Sequence, residues 1–297
     1  MKLKQRTIIN EFAIDGIGLH TGKISKVIFK PAPRAGYGIR FIRTDINNYP
    51  EIKAILDNVS TDCMTRRTVI KQHDIEIYTI EHIMSACFAL GLDNLMIEIN
   101  TNEPPILDGS AKIFTEHLLK AGVKSFNHYK EYYFIEKPVY FITSNSQIYA
   151  YPSDNLEIKC TIQFQHPFLK YQTISLTNIN KQFYITNIAP AKTFCFDYEV
   201  NMLRQNHLAL GGSLKNAIVI SMDGIHNKKC LSYNDEFVRH KVLDLMGDMH
   251  LLGKEIKAKI VAEKPGHKSN VNFLRKFVKN ALIGTKSPIV ESINNES

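Results

Sequence analysis

Residues 236–248 read EFVRHKVLDLMGD, and this stretch predicts a helix that carries metal-binding side chains. His240, Asp244 and Asp248 are four residues apart, so on an α-helix their side chains share one face. Apolar residues between them recur at spacings of three and four and form a separate stripe for packing. Imidazole and carboxylate groups are ligands that zinc uses in proteins. The alternative is a solvated helix face whose carboxylates pair with neighbouring basic residues.

A second segment, from Tyr78 to Gly91, also predicts a helix, with Thr79 at its start and Gly91 at its end. It carries Glu81 beside His82 near its N-terminal end. Since adjacent helical side chains point about 100° apart, one of the two could bind a metal while the other takes a proton from a water molecule. The alternative is the ordinary polar end of a buried helix.

The two helical segments can be aligned with each other. Placing His82 opposite Asp244 puts Gly91 opposite Gly253, and a strand-like run follows each glycine. This pattern suggests a degenerate internal repeat in which each copy contributes one ligand. The repeat favours two like domains that meet around a shared site.

Length and patterning favour an α+β protein with two domains. A chain of 297 residues exceeds the usual size of one domain, and strand-like alternation fills most of the sequence between the helices. We expect domains at residues 1–126 and 127–284, with a polar linker near 124–131 and a polar C-terminal tail at 285–297.

Composition narrows the cellular setting. The opening residues lack the apolar core of a signal peptide, and no apolar run approaches the ~20 residues that span a bilayer. Five scattered cysteines indicate reduced thiols, so we expect a cytoplasmic protein without stable membrane insertion. The net charge of +8 suits nucleic acid, an anionic lipid surface or a phosphorylated substrate, or it is simply a solvated surface. No nucleic-acid-binding motif supports the first option.

Short motifs distributed along the chain point to one family. They are Gly16–Gly22, Thr79–His82, Leu107–Ala111, Ala191–Phe194, Leu210–Ser213, His240–Asp248 and Gly266–His267. In this order and at these separations they resemble the UDP-3-O-acyl-N-acetylglucosamine deacetylases, zinc hydrolases of bacterial lipid A synthesis. The resemblance runs from about Arg6 to about Leu282.

The resemblance implies a metal centre and a base. His82, His240 and Asp244 would bind one catalytic zinc ion, although Fe²⁺ also suits two histidines and an aspartate. Glu81 would deprotonate the water that attacks the acetamide carbonyl. The role of Cys63 stays open, since its surroundings match the family only approximately.

The resemblance also assigns the remaining site residues. Thr193 would donate a hydrogen bond to the developing oxyanion. His267 would act as a cation that supports the oxyanion or protonates the leaving amine, with Asp248 holding its imidazole oriented. Residues that would contact the substrate are Lys241, Phe194, Gly212 and His20.

For the fold, the resemblance implies two sheet-and-helix sandwiches with the zinc site between them and a small β-α-β insert in the second. Apolar residues of the insert would line a passage for the substrate's acyl chain, although a plain core role suits them equally. The expected partner is UDP-3-O-acyl-N-acetylglucosamine, with no nucleic acid, at most transient contact with a membrane surface, and a monomeric state. The alternatives are a non-catalytic protein of the same fold that binds zinc or a nucleotide sugar, and a basic protein of nucleic acid or membrane surfaces.

Overall fold

A computed structural model describes residues 3–60 and 66–285 of the chain. Cys63 and the expected polar tail from residue 286 onward lie outside the described residues. Within the described ranges the helices are α1 (Glu81–Leu90), α2 (Lys112–Lys120), α3 (Lys181–Asn187), α4 (Asp197–Gln205), α5 (Glu236–His250) and α6 (His267–Asn280). None of these helices combines the length and the apolar character needed to cross a bilayer.

The strands of the described ranges form two large sheets and several small ones. They are β1 (Lys4–Ile8), β2 (Phe12–Ile17), β3 (Ile24–Pro31), β4 (Ile39–Arg43), β5 (Glu51–Lys53), β6 (Val69–Gln72), β7 (Ile75–Tyr78), β8 (Leu95–Ile99), β9 (Val123–Tyr129), β10 (Tyr132–Phe134), β11 (Val139–Ile142), β12 (Gln147–Pro152), β13 (Glu157–Gln163), β14 (Tyr171–Leu176), β15 (Phe194–Phe196), β16 (Ile218–Ser221), β17 (Gly224–Ile225), β18 (Glu255–Glu263) and β19 (Leu282–Gly284). The mixture of sheets and packed helices confirms the α+β class.

The two large sheets share one strand order. The first runs β2-β3-β8-β4-β5, and the second contains β11-β12-β18-β13-β14 in the same relative directions. Strand β8, which follows α1, is central in the first sheet, and β18, which follows α5, is central in this part of the second. Each has a parallel neighbour on one side and an antiparallel neighbour on the other. This order agrees with the predicted internal repeat. The second sheet also carries β10 and β19 beside the first part of β18.

Helices α1, α2, α5 and α6 lie between the two large sheets. Helix α5 packs against β13 and β14, and α6 packs against β11 and β12. On the other side, α2 contacts the first sheet through Phe114 and Phe29, whose ring centroids are 6.2 Å apart. Helix α1 packs against both α2 and α5, so it brings the two halves of the core together.

The segment predicted as a linker is a strand instead. Val123–Tyr129 forms β9, which pairs antiparallel with β1 near the other end of the first half. Most of its side chains are exposed, so the segment lacks the apolar alternation that predicts a strand, and pairing with β1 holds it in place. Strand β9 runs through residue 126, where the sequence placed the boundary between the two domains. That boundary stays a prediction.

The expected β-α-β insert is present in the second half. Strand β15 leads into α4, and β16 returns parallel to β15, with β17 completing a three-stranded sheet. Ile218 and Ile220 of β16 are fully buried, which anchors this small sheet in the core. Among the described cysteines, Cys87, Cys160, Cys195 and Cys230 are all free thiols.

Candidate functional site

The residues predicted to act in the site line one cavity of about 950 Å³. Those that line it are His20, Glu81, His82, Thr193, Phe194, Gly212, His240, Lys241, Asp244 and His267. Asp248 is fully buried and contacts His267 from behind. One cavity therefore gathers side chains from both halves of the chain and from the insert.

Three of these side chains form a cluster of metal-ligand type. One donor atom each from His82, His240 and Asp244 lies within 4.8 Å of the others, and all three residues are buried. The Nδ1 atom of His240 contacts the carbonyl oxygen of Ala191 at 3.1 Å, so Nε2 is its free nitrogen. That Nε2 lies 3.4 Å from Oδ1 of Asp244.

The buried donor atoms of this cluster fit a divalent metal ion. Nδ1 of His82 and Oδ1 of Asp244 have no hydrogen-bond partner among the described residues, which is costly for buried polar atoms. Burial lowers the pKa of His82, and it lowers the pKa of His240 to about 3, so both imidazoles are neutral. Neutral imidazole is the form that binds metal.

The third residue of the cluster, Asp244, provides a carboxylate. Burial opposes its charge, but His240, Lys241 and His267 together hold the pKa of Asp244 well below its usual range. Two neutral imidazoles and one ionised carboxylate are a donor set that zinc and Fe²⁺ both accept.

The close contact between α1 and α5 brings the ligands together. A Cβ atom at Gly247 of α5 would lie 2.2 Å from the carbonyl oxygen of Glu81, so only glycine fits there. His82 therefore lies beside His240, with ring centroids 5.2 Å apart.

Helix α1 does not begin as predicted. The N-cap residue is Ile80, and Thr79 is not the cap but takes a left-handed backbone with φ of 54°. Its hydroxyl donates to Oε1 of Glu103 at 2.7 Å. The Thr79 side chain, which was predicted to begin the helix, instead holds the segment before the helix through this bond to Glu103. Gly91 ends the helix as predicted, with φ of 63°.

Glu81 and His267 face each other beside the metal ligands. Oε1 of Glu81 lies 3.7 Å from Nε2 of His267, and Oε2 accepts a hydrogen bond from the backbone N–H of Thr68 at 3.1 Å. Burial raises the pKa of Glu81 to about 7. A carboxylate with such a pKa can take and release a proton near neutral pH.

His267 is surrounded by carboxylates. Its Nδ1 lies 3.0 Å from Oδ2 of Asp248, and its Nε2 lies 3.9 Å from Oδ2 of Asp244. Burial opposes the cation, but Asp248, Glu81 and Asp244 outweigh it and raise the pKa of His267 to about 9. The imidazole is therefore a cation at neutral pH.

Two residues that sequence reasoning missed complete this group. The hydroxyl of Thr68 donates to Oδ1 of Asp248 at 2.6 Å, and Asn270 donates to Oδ2 at 2.8 Å. Asn270 lies three residues after His267 on α6, so helical spacing could have suggested it. No local pattern marks Thr68, because its contacts come from distant parts of the chain.

A third missed residue, Glu103, fixes the loop that carries His20. Its buried carboxylate accepts hydrogen bonds from the backbone N–H groups of His20 and Thr21, and from the hydroxyls of Thr21 and Thr79. A Cβ at Gly18 would lie 2.5 Å from this carboxylate, which explains the glycine. Glu103 thus connects the His20 loop to the start of α1.

His20 itself is a neutral, buried imidazole on the cavity wall. Burial lowers its pKa to about 4. Its Nδ1 accepts a hydrogen bond from the backbone N–H of Ala209, while Nε2 has no partner in the described part of the chain. A neutral imidazole with Nδ1 as acceptor carries its proton on Nε2, so His20 presents an N–H donor.

Lys241 contacts Asp244 of the candidate metal site rather than open space. Its Nζ donates to Oδ2 of Asp244 at 2.6 Å and lies 5.8 Å from the ring centroid of Phe194. The ring of Phe194 packs edge-on against Phe237 at 4.9 Å. Both Lys241 and Phe194 still line the cavity, where a substrate group could reach them.

The backbone around Thr193 is fixed by the segment that contains Gly109. The Thr193 N–H donates to the Gly109 carbonyl, and the Thr193 carbonyl accepts from Ile218 N–H, both at 2.8 Å. Gly109 has φ of 84°, and a Cβ there would lie 2.0 Å from the carbonyl oxygen of Asn216. Its glycine is therefore required by both backbone conformation and close packing.

The cavity extends along the insert. Leu203 of α4 and Val219 of β16 line it, whereas two other apolar residues of this region, Met202 and Met222, are exposed. Arg66 forms an ion pair with Glu199 of α4, and both side chains line the cavity. This ion pair connects the first half of the chain to the insert.

This chain is similar to known proteins over most of its length. Residues 5–279 match the LpxC family, described as UDP-3-O-acyl N-acetylglycosamine deacetylase. The UDP-3-O-acyl-N-acetylglucosamine deacetylase of Thermodesulfovibrio yellowstonii is 41% identical, with 92% of this chain and 91% of that protein covered. The protein of the same name from Geobacter sp. (strain M21) is 39% identical over 93% and 89%. The bifunctional enzyme LpxC/FabZ of Chlorobaculum tepidum is 37% identical over 95% of this chain and 65% of the enzyme. Since the match spans nearly the whole chain, the protein belongs to the UDP-3-O-acyl-N-acetylglucosamine deacetylase family.

Proposed function

We propose that this chain hydrolyses the acetamide of UDP-3-O-acyl-N-acetylglucosamine, giving the free amine and acetate. Family membership supports the substrate. The observation that carries the reaction is the facing pair of Glu81 and His267 beside a buried cluster of metal ligands. An amide is a weak electrophile with a poor leaving group, so its hydrolysis benefits from both a base and an acid.

The metal in this proposal is one zinc ion held by His82, His240 and Asp244. When bound there, zinc would act as a Lewis acid on the amide carbonyl and lower the pKa of a nearby water molecule. The unpartnered buried donor atoms and the neutral imidazoles support this assignment. Fe²⁺ is compatible with the same donor set.

Glu81 and His267 divide the proton transfers. The Glu81 carboxylate accepts one proton from the attacking water as the C–O bond forms. The His267 cation donates the Nε2 proton to the departing nitrogen as the C–N bond breaks, so the amine leaves uncharged. The raised pKa of Glu81 and the cationic state of His267 support these opposite roles.

Other residues of the cavity would orient the substrate. Thr193 donates a hydrogen bond to the oxyanion, and Lys241 attracts the substrate's polar head through a charge that Asp244 only partly offsets. The residues proposed to contact the sugar and the mouth of the acyl passage are Phe194, Gly212 and His20. The net charge of +8 favours the approach of a diphosphate.

The acyl chain is proposed to occupy the part of the cavity along the insert. Apolar side chains such as Leu203 and Val219 line this part, and the whole cavity is large enough for a lipid-sized ligand. The expected cytoplasmic location, the monomeric state and a transient contact with a membrane surface belong to the same proposal.

Acetate release from UDP-3-O-acyl-N-acetylglucosamine tests this function. The purified protein is assayed as isolated, after chelation and after stepwise addition of zinc. Activity that disappears on chelation and returns at about one zinc per chain is the expected result. If fully zinc-loaded protein binds the substrate but releases no acetate across several acyl lengths, the protein is a binder and the proposal is wrong.

A further inference from the structure

Thr68 lies where the proton-transfer groups of the site meet. It is fully buried, immediately before β6. Its hydroxyl oxygen is 2.6 Å from Oδ1 of Asp248 and 2.9 Å from Nδ1 of His267. Its backbone N–H donates to Oε2 of Glu81 at 3.1 Å. One residue therefore contacts both the proposed base and the proposed acid.

The backbone of Thr68 also connects to the start of α1. Its carbonyl oxygen accepts a hydrogen bond from the N–H of Thr79 at 2.9 Å, two residues before Glu81. Together these contacts join the segment before β6 to three helices, because Glu81 belongs to α1, Asp248 to α5 and His267 to α6.

The hydrogen positions in this group follow from chemistry. The carboxylate oxygens of Asp248 accept hydrogen bonds, so the single hydroxyl hydrogen of Thr68 points to Oδ1. The same hydroxyl oxygen then accepts from the Nδ1–H of His267, which also faces Oδ2 of Asp248 at 3.0 Å. Two acceptors hold the proton on Nδ1, so Nε2, which faces Glu81, is the nitrogen that exchanges a proton.

We propose that Thr68 is a positioning residue for the reaction: its hydroxyl fixes the imidazole of His267 through Asp248, and its amide fixes the carboxylate of Glu81. The role rests on the proposed function, because it concerns the two groups that transfer protons there. Without the hydroxyl, Oδ1 of Asp248 loses its only donor among the described residues, and the imidazole loses one of two acceptors. The ring can then leave the orientation in which Nε2 faces the substrate.

Two substitutions separate the hydroxyl from the shape of the side chain. Thr68→Val keeps the volume and the backbone contacts but removes the hydroxyl, whereas Thr68→Ser keeps the hydroxyl. We expect kcat of Thr68→Val to fall by about 10²-fold with KM nearly unchanged, as for a misplaced catalytic group. Thr68→Ser should recover most of this loss. Melting temperature and zinc content are measured alongside, and Thr68→Ala replaces Thr68→Val if the latter does not fold.

A second readout does not depend on activity. In zinc-loaded protein labelled with ¹⁵N-histidine, the Nδ1 proton of His267 should exchange with water faster in Thr68→Val than in wild type or Thr68→Ser. If the wild type released no acetate, the proposed function would be wrong. The exchange rates of the three proteins would still test whether Thr68 positions His267. The positioning role is overturned if Thr68→Val keeps wild-type kcat and exchange, or if Thr68→Ser is as defective as Thr68→Val.

Discussion

Glu81 and His267 are two buried groups whose charges suit opposite proton transfers. Burial raises the pKa of Glu81 to about 7, and neighbouring carboxylates raise that of His267 to about 9 despite burial. Below a pH of about 7 the base Glu81 is protonated, and above a pH of about 9 the acid His267 has lost its proton. We therefore expect kcat/KM to rise with pH near 7 and to fall near 9, which a pH–rate series on zinc-loaded protein would measure.

The basic limb of that profile should depend on Asp248. Its carboxylate is the largest of the charges that raise the pKa of His267, so Asp248→Asn should move the fall in rate to lower pH. The acid limb, which belongs to Glu81, should move much less. Equal zinc content in both proteins is the control. An unchanged basic limb would mean that another group supplies it.

Glu81→Gln tests the base directly. The amide keeps the size of the side chain but cannot accept a proton, so kcat should fall by about 10²- to 10⁴-fold while zinc and substrate still bind. Single-turnover acetate release and zinc analysis measure the two effects. Glu116→Gln, on the exposed side of α2, is the matched control and should leave the rate unchanged. A near-wild-type rate for Glu81→Gln would remove Glu81 from the mechanism.

The sequence predicted the residues that line the cavity, but it did not predict the residues that hold those side chains and loops in position. His240 and Asp244 share a helical face, and that local spacing is readable without a structure. Thr68 and Glu103 were missed because their partners lie far away along the chain, as in the contact between Thr68 and Asp248. Helical or strand periodicity carries no information on such contacts.

At the scale of the element, α1 and α5 were predictable and β9 was not. Both helices are apolar enough for the buried stripe to show in the sequence, and Gly91 marks the end of α1. Strand β9 is exposed along most of its length, so only its pairing with β1 defines it. The start of α1 was misjudged because Thr79 binds Glu103 rather than the helix N–H groups.

The packing of α1 on α5 should tolerate no side chain at Gly247. A Cβ there would meet the Glu81 carbonyl at 2.2 Å, so Gly247→Ala must separate the helices or shift α1. We expect a loss of about 1–3 kcal/mol of stability together with weaker zinc binding. Thermal unfolding and zinc titration measure both.

Gly266→Ala is the control for this substitution. The added Cβ meets no atom within 4 Å, and the φ of −157° is open to any residue. Its melting temperature should stay near that of the wild type. If Gly247→Ala were equally stable and bound zinc equally well, the contact between the helices would not be limiting.

At the scale of the whole molecule, the two large sheets have the same strand order, and helices α1 and α5 pack against each other between them. Helix α1 carries His82, and α5 carries His240 and Asp244, so each half of the chain provides part of the candidate metal site. Neither half contains the full donor set. A metal ion bound by the proposed ligands would therefore also connect the two halves.

Zinc should consequently stabilise the fold. At free zinc about a thousandfold above its Kd, the linkage gives about 4 kcal/mol, which should raise the melting temperature by roughly 5–15 °C over chelated protein. Differential scanning calorimetry measures the shift. His240→Ala should melt at the same temperature with and without zinc. A shift that persisted in this variant would place the stabilising ion elsewhere.

The separation of the site residues along the chain has a consequence for protein synthesis. Glu81 and His82 leave the ribosome early, whereas His240, Asp244 and His267 follow only near the end of the described residues. A nascent chain therefore cannot assemble the site until residue 267 has been translated. Products that end before residue 240 contain Glu81 and His82 without these partners, so they should be catalytically silent.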